Sequence, residues 1–226
     1  YTMEEIIARN YIVEEMPDVI INIVDATNIE RNLYLTTQLI ELGLPIVVAL
    51  NMMDEIKKRG DKIDVNGLEK AFGVPIIPTS ASKGQGVSQL MQKAIELAQA
   101  GAASQETKFT LKIFDDEIEN TIEKIENLIV PFIKGTKYPA RWVSIKLLEG
   151  DERVREKLAV TNEIIDSVKV LRKELEHKYD DDIEAIIADN RYRFITGIIA
   201  KYVKKNSAKG DLTISDKIDK IVTNRV

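Results

Sequence analysis

The sequence predicts an α/β fold: a parallel sheet with flanking helices, followed by a small all-α domain. Three observations predict it. Apolar runs of strand length, "DVIINIVD", "PIVVAL" and "VPIIPTSA", alternate with stretches of helical period, the order of a parallel sheet built with crossover helices. Past the small, polar stretch "GAASQETK" at 101–108 the pattern turns almost wholly helical, and such a composition marks a linker. Formal charge divides at the same place, with 9 basic and 14 acidic residues up to Ala103 against 23 and 23 from Ser104 onward. The expected domains are therefore 1–103 and 104–226.

Element by element, "MEEIIARNYIVEE" carries apolar residues close to helical spacing and is stopped by Pro17, predicting a helix over 3–15. "DVIINIVD" holds Asn22 as the one polar residue between its two aspartates, which predicts a strand covered on both faces. "NIERNLYLTTQLIELG" is an amphipathic helix closed by Gly43, a residue suited to a left-handed C-cap. Strand "PIVVAL", the helical start "NMMDEIKKRG", a short helix "DVNGLEKAFG", strand "VPIIPTSA" and a helix over about 87–100 complete the first part. The second part holds a short extended stretch, "FTLKIF". Helical patterns follow at about 115–130, 139–149, 151–159, 162–178, 181–204 and 214–223, with Pro131, Gly135, Pro139, Gly150 and Gly210 as punctuation.

Composition narrows the function. Hydrophobic residues at 44% and charged residues at 31% are globular values, and no apolar run approaches the length of a bilayer span. With an acidic N-terminus that is unlike a signal peptide, the expectation is a soluble, cytosolic chain. Zero cysteines and one histidine, His177, exclude disulfides and zinc chemistry. The net charge of −5 argues against nucleic acid as the partner.

In open parallel sheets, ligands bind beyond the carboxyl ends of the strands. Asp25, Asn51 and Ser80 interrupt three apolar strands at such ends and so should converge on one rim. In "IVVALNMMDEI", Asn51, Met52 and Asp54 lie where a strand meets a helix. A carboxylate accepts both adjacent donors of guanine, N1–H and the 2-amino group, a charge-assisted pair that adenine does not offer. An Asn amide three residues earlier can donate to the base's N7 and tie neighbouring loops together. N-x-x-D alone equally describes a helix cap. What favours nucleotide is the second element, "IIPTSASKGQGVSQL". There Ser80, Ala81 and Ser82 precede Gly84 and Gly86, and small residues let backbone N–H groups approach the base's O6. Its plain alternative is a strand-to-helix loop with Ser88 as N-cap.

Together these stretches carry a family resemblance. "VDATNIERNLYLTTQLIELGLPIVVALNMMDE" resembles the G domain of the ferrous iron transport protein B (FeoB) family, bacterial and archaeal iron transporters with a cytosolic GTP-binding domain. Beyond the linker, "YPARWVSIKLLEGD", "ADNRYRFITGII" and "SDKIDKIVTNR" resemble the helical domain that follows it in that family. The resemblance implies a partial P-loop-GTPase-like sheet, with Asn51, Met52 and Asp54 in the guanine-specificity motif and Ser80, Ala81 and Ser82 in the base-contacting loop. It further implies GTP or GDP as ligand and Mg2+ with the phosphates. The partner would be a transmembrane domain of the same polypeptide at the cytoplasmic face of the membrane, with homo-oligomerisation left open. One departure counts against completeness. No G-x-x-x-x-G-K-S/T phosphate loop, first-switch Thr or magnesium-positioning D-x-x-G is identified in the 226 residues, Asp64–Gly67 spelling D-x-x-G only within the stretch read as a short helix, so the Mg2+ ligands and catalytic groups are expected upstream of Tyr1. This chain alone is expected to bind guanine nucleotide poorly and hydrolyse none. The alternatives are an interaction module that binds no nucleotide, favoured by the missing loop, and a translation-associated GTPase, opposed by the acidic balance.

Other residues invite simpler readings. Asp25 is expected to cap, His177 to be exposed, and Trp142 to pack with Ile145 in the helical domain. Asp180 to Asp182 open a helix, where carboxylates suit the dipole. Arg191 and Arg193 either pair across the domain interface or face water.

Overall fold

The computed structural model describes residues 11–103, 111–136 and 138–206. Residues 11–15 are helical; the rest of the helix expected over 3–15, and the whole of that expected over 214–223, lie outside the described residues.

The first sheet joins β1 (Ile20–Asp25), β2 (Ile46–Asn51) and β4 (Ile76–Pro78) in parallel, in the order β1-β2-β4. Three helices connect them: α1 (Ile29–Glu41), α2 (Met53–Arg59) and α3 (Val65–Phe72), and α4 (Val87–Ala103) follows the last strand. The register pairs Asp25 with Asn51, so the polar strand ends form one rim. Helix starts and stops follow local chemistry. Asp64 accepts from the Gly67 N–H, while Gly43, Gly60 and Gly73 end their helices in the left-handed region.

One face of the sheet is not as expected. β2 is buried on both faces, but β1 alternates, with Ile21 and Ile23 exposed at 36% and 67%. Val47, Ala49 and Ile77 meet Leu90 and Ala94, so α4 covers the middle of that face. Ile21 and Ile23, which share the side of Val47 and Ala49 by register, stay outside its footprint. Asn22 is buried on the opposite side and satisfied by donating to the Thr36 hydroxyl at 2.7 Å.

The helical part consists of α5 (Asp116–Ile133), α6 (Ala140–Glu149), α7 (Glu152–Lys157), α8 (Asn162–Tyr179) and α9 (Ile183–Tyr202). Three expectations change here. The stretch 101–108 begins as helix, since α4 runs to Ala103, and 104–108 lie outside the described residues. In "FTLKIF", residues 111–114 form no strand but bury Leu111, Ile113 and Phe114. Pro131 does not end α5, which continues to Ile133; placed in the last turn, its ring disturbs little of the helix beyond it. Two short strands were not expected: β3 (Lys62–Ile63) pairs antiparallel with β5 (Val203–Lys204), joining the end of α9 to the loop before α3.

A single apolar cluster runs from Ile20 and Leu33 through Phe72 to Ile118, Trp142 and Ile195, so the sheet layer and the helices share one core. α9 is the shared element. Phe194 meets Phe72 edge to face at 5.8 Å, Tyr192 stacks on Tyr34 at 4.8 Å, and Thr196 donates to Glu30 at 2.8 Å. At the centre Arg191, 1% exposed, donates Nε and Nη2 to Glu41 at 3.1 and 2.8 Å and Nη1 to Glu149 at 2.9 Å. Lys146 pairs with Glu149 beside it, so two buried cations balance two carboxylates. Burial pushes the Glu149 carboxyl up, but Lys146 and Arg191 together outweigh it and hold it below its ordinary value. Burial acts against the Arg191 charge as well, and Glu41 and Glu149 reverse it. Of the two readings open for the arginines, Arg191 pairs with Glu41 of the sheet layer, whereas Arg193 is exposed and lies 3.9 Å from Asp115. Trp142 is buried on Tyr138, and His177 is exposed.

Removing one member of a buried ion pair strands the others. Arg191→Met should therefore cost about 3–5 kcal/mol in urea unfolding, while Arg193→Met should change little. Equal, small effects would show that the cluster is not what joins the layers.

Candidate functional site

At the rim, β2 ends in Asn51 and the chain turns into α2 through Met52, which holds a left-handed backbone at φ 66°. For a residue with a Cβ this conformation is costly, and it is over-determined by its neighbours. The Met53 N–H donates to the Thr79 carbonyl at 3.2 Å, and the Met52 carbonyl accepts from Glu55 and Ile56. Met52 itself leaves its side chain 38% exposed on the rim.

The loop after β4 is sewn to this turn. The Thr79 N–H donates to the Leu50 carbonyl at 2.8 Å. Asn51 Oδ1 accepts from the Ala81 N–H at 3.0 Å and from the Thr79 hydroxyl at 3.3 Å. Ser80 Oγ accepts from the Asp54 N–H at 3.1 Å. The loop then folds back on itself through a two-bond bridge between Ser80 and Gln85, with Ala81–Lys83 as a single 3-10 turn. Gly84 and Gly86 permit this path at φ 66° and 77°. A Cβ on Gly86 would stand 2.3 Å from the Pro78 carbonyl oxygen, whereas one on Gly84 would meet nothing.

The structure thus brings Asn51, Met52, Asp54, Ser80 and Ala81 together, with Ser82 exposed on the same turn. Of the backbone donors in this small-residue loop, the Ala81 N–H is engaged by Asn51. The Asn51 Nδ2 amide, by contrast, has no partner among the described residues, and no cation there pairs with Asp54 Oδ1. Asp54 Oδ2 takes the Lys83 ammonium at 2.8 Å, and that cation, helped by the Ser80 hydroxyl, holds the Asp54 carboxyl below its ordinary value. Thr79 and Lys83 do not stand out in the sequence. A Thr before the small-residue triplet could have been suspected; nothing local marks Lys83 as a partner of a carboxylate in another loop.

Asp25, also on the rim, caps: its Oδ1 accepts from the Thr27 N–H and hydroxyl, each at 2.8 Å, and Oδ2 from Asn28 at 3.2 Å. Ser88 is not the N-cap of α4, because that helix already includes Val87 and its first bond closes on Gly86. Asp182 caps α9, and no group of carboxylates or imidazole able to hold a metal occurs among the described residues.

A cation-paired carboxylate and a free amide stand beyond the carboxyl end of β2, tied to the loop that follows β4. Two family models match the chain. One, described as Ferrous iron transport protein B, covers residues 1–94, and the other, described as FeoB cytosolic helical domain, covers residues 114–204. The chain belongs to the ferrous iron transport protein B family. Among FeoB relatives, the Fe(2+) transport protein A/Fe(2+) transporter FeoB fusion protein of Porphyromonas gingivalis is 38% identical over all of this chain. The Fe(2+) transporter FeoB of Escherichia coli is 32% identical over 99% of it. The chain spans only 27% of the length of each. A solved mutant of NFeoB from S. thermophilus, described as bound to GDP, superposes with a TM-score of 0.80 at 36% identity, over 90% of this chain and 76% of that one. At that TM-score the two chains share their fold over the superposed residues.

If the rim depends on the folded-back loop, Gly84→Ala should cost only its left-handed backbone, about 1 kcal/mol, and Gly86→Ala markedly more. Urea midpoints measure both; equal losses would mean that the close approach at Pro78 is not a constraint.

Proposed function

We propose that this chain is part of the cytosolic GTP-binding module of a ferrous iron transporter, in which GTP hydrolysis regulates Fe(II) uptake through a membrane domain of the same polypeptide. The observation that carries the reading is the juxtaposition of Asn51 and Asp54 with the Ser80–Ser82 loop on one rim, within a FeoB-family chain. Asp54 accepts N1–H and the 2-amino group of guanine, the free Asn51 amide donates to N7, and exposed Met52 offers an apolar surface to the ring. Adenine presents an acceptor where Asp54 needs a donor, so the site selects guanine.

Mg2+ and the triphosphate belong to the half of the site that this chain does not carry as a motif. Among the described residues no group of three or more His, Asp or Glu side chains gathers that could hold a metal; by family kinship the Mg2+ and the hydrolytic groups go with the phosphate-binding half. Exposed Ile21 and Ile23 on β1 support a further strand and covering element adding to the sheet there. No helix among the described residues is long and apolar enough to cross a membrane.

The test uses the full natural polypeptide. Asp54→Asn should weaken GTP binding by at least tenfold, the loss of about one charge-assisted bond. It should also improve binding of xanthosine triphosphate, whose 2-oxo group needs a donor. Unchanged preference for guanine in calorimetric titrations would remove Asp54 from base reading.

A further inference from the structure

We infer that Lys83 is a built-in competitor for the base-reading carboxylate, so that it sets how strongly the site prefers guanine over a purine with a single donor. The inference rests on the guanine reading above. Lys83 Nζ lies 2.8 Å from Asp54 Oδ2, and the ammonium has no other partner among the described residues. Asp54 has a side chain only 15% exposed, whereas that of Lys83 is 48% exposed. The carboxylate is thus fixed in the rim and the cation comes to it from the solvent side.

The pairing is lopsided. Lys83 covers Oδ2 while no cation among the described residues pairs with Oδ1, and the Asp54 backbone is pinned by Ser80 Oγ. Swinging the carboxylate to present another edge would break its Oδ2 contact with Lys83. A base with one donor, such as hypoxanthine with its N1–H, is served by Oδ1 and leaves the ion pair intact. Guanine needs both oxygens for its two parallel donors and must push the ammonium off Oδ2 or share it. Lys83 thus taxes guanine and not hypoxanthine. It sits on the 3-10 turn Ala81–Lys83, which is bonded to Asn51 at one end and released through Gly84 at the other. The lysine can move away without unpicking the loop.

The experiment compares GDP with inosine diphosphate by calorimetry on the full natural polypeptide, as wild type, Lys83→Met and Asp54→Asn. In Lys83→Met, GDP should bind about two- to fivefold more tightly, the scale of an exposed ion pair, with inosine diphosphate unchanged. In the wild type the GDP-to-inosine diphosphate ratio should climb with salt, which screens the exposed pair; in Lys83→Met that climb should vanish. If Lys83→Met weakens both ligands alike, Lys83 holds the nucleotide rather than competing with it, and the inference falls. Equal, unchanged affinities overturn it too, because the ion pair is then uncoupled from the base. If Asp54→Asn also leaves the preference for GDP intact, the guanine reading itself has failed; if it abolishes that preference, only the role of Lys83 is lost.

Discussion

The carboxamide oxygen of Asn51 accepts from the Ala81 N–H and the Thr79 hydroxyl, and the rest of the rim depends on that junction. Two parallel strands end side by side, yet their loops would diverge if nothing tied them together. Asn51 supplies the tie with one atom and keeps its amide free. Thr79 completes it from the other side, donating backward to Leu50 and accepting from Met53. Together these bonds over-determine the left-handed backbone at Met52, the kind of local cost that persists only where the surroundings enforce it. The outcome is a rigid corner in which Asp54 faces outward at a fixed place.

That corner sits on a body held from behind. α1 leaves the rim after Asp25 and ends at Glu41, which Arg191 grips from α9. The same arginine holds Glu149 at the end of α6, so one side chain joins three helices. The antiparallel pair Lys62–Ile63 with Val203–Lys204 makes a second attachment, near α3. Gly67 lets it close: a Cβ there would fall 2.1 Å from the Tyr202 ring. Buried ion clusters add little net stability over apolar packing, but they are unforgiving of misplacement. Here they fix the helical part in one pose against the sheet.

Much of this is legible in the sequence, and the parts that are not share a cause. Strand runs rich in Ile and Val, helical periods and the closing glycines announce the α/β order, because each is a local property. The rim can be anticipated too, since polar residues at the ends of consecutive parallel strands must gather there. The bonds among them cannot: Asn51 and Ala81 are 30 residues apart, Arg191 and Glu41 150. The exposure of Ile21 and Ile23 is hidden for the same reason, as it depends on how far α4 reaches across the sheet. β3 and β5 are too short to leave a pattern. Pro131 reads as a terminator in the sequence, but a proline's effect depends on its place in the helix.

Everything proposed for the rim depends on one contact, the edge of guanine against Asp54. A crystal structure of the full polypeptide with GDP tests it most directly. Both Asp54 carboxylate oxygens should lie within hydrogen-bond reach of N1 and the 2-amino group, with Asn51 Nδ2 on N7. A nucleotide bound with its base away from this rim, and Asp54 still paired only to Lys83, would contradict it.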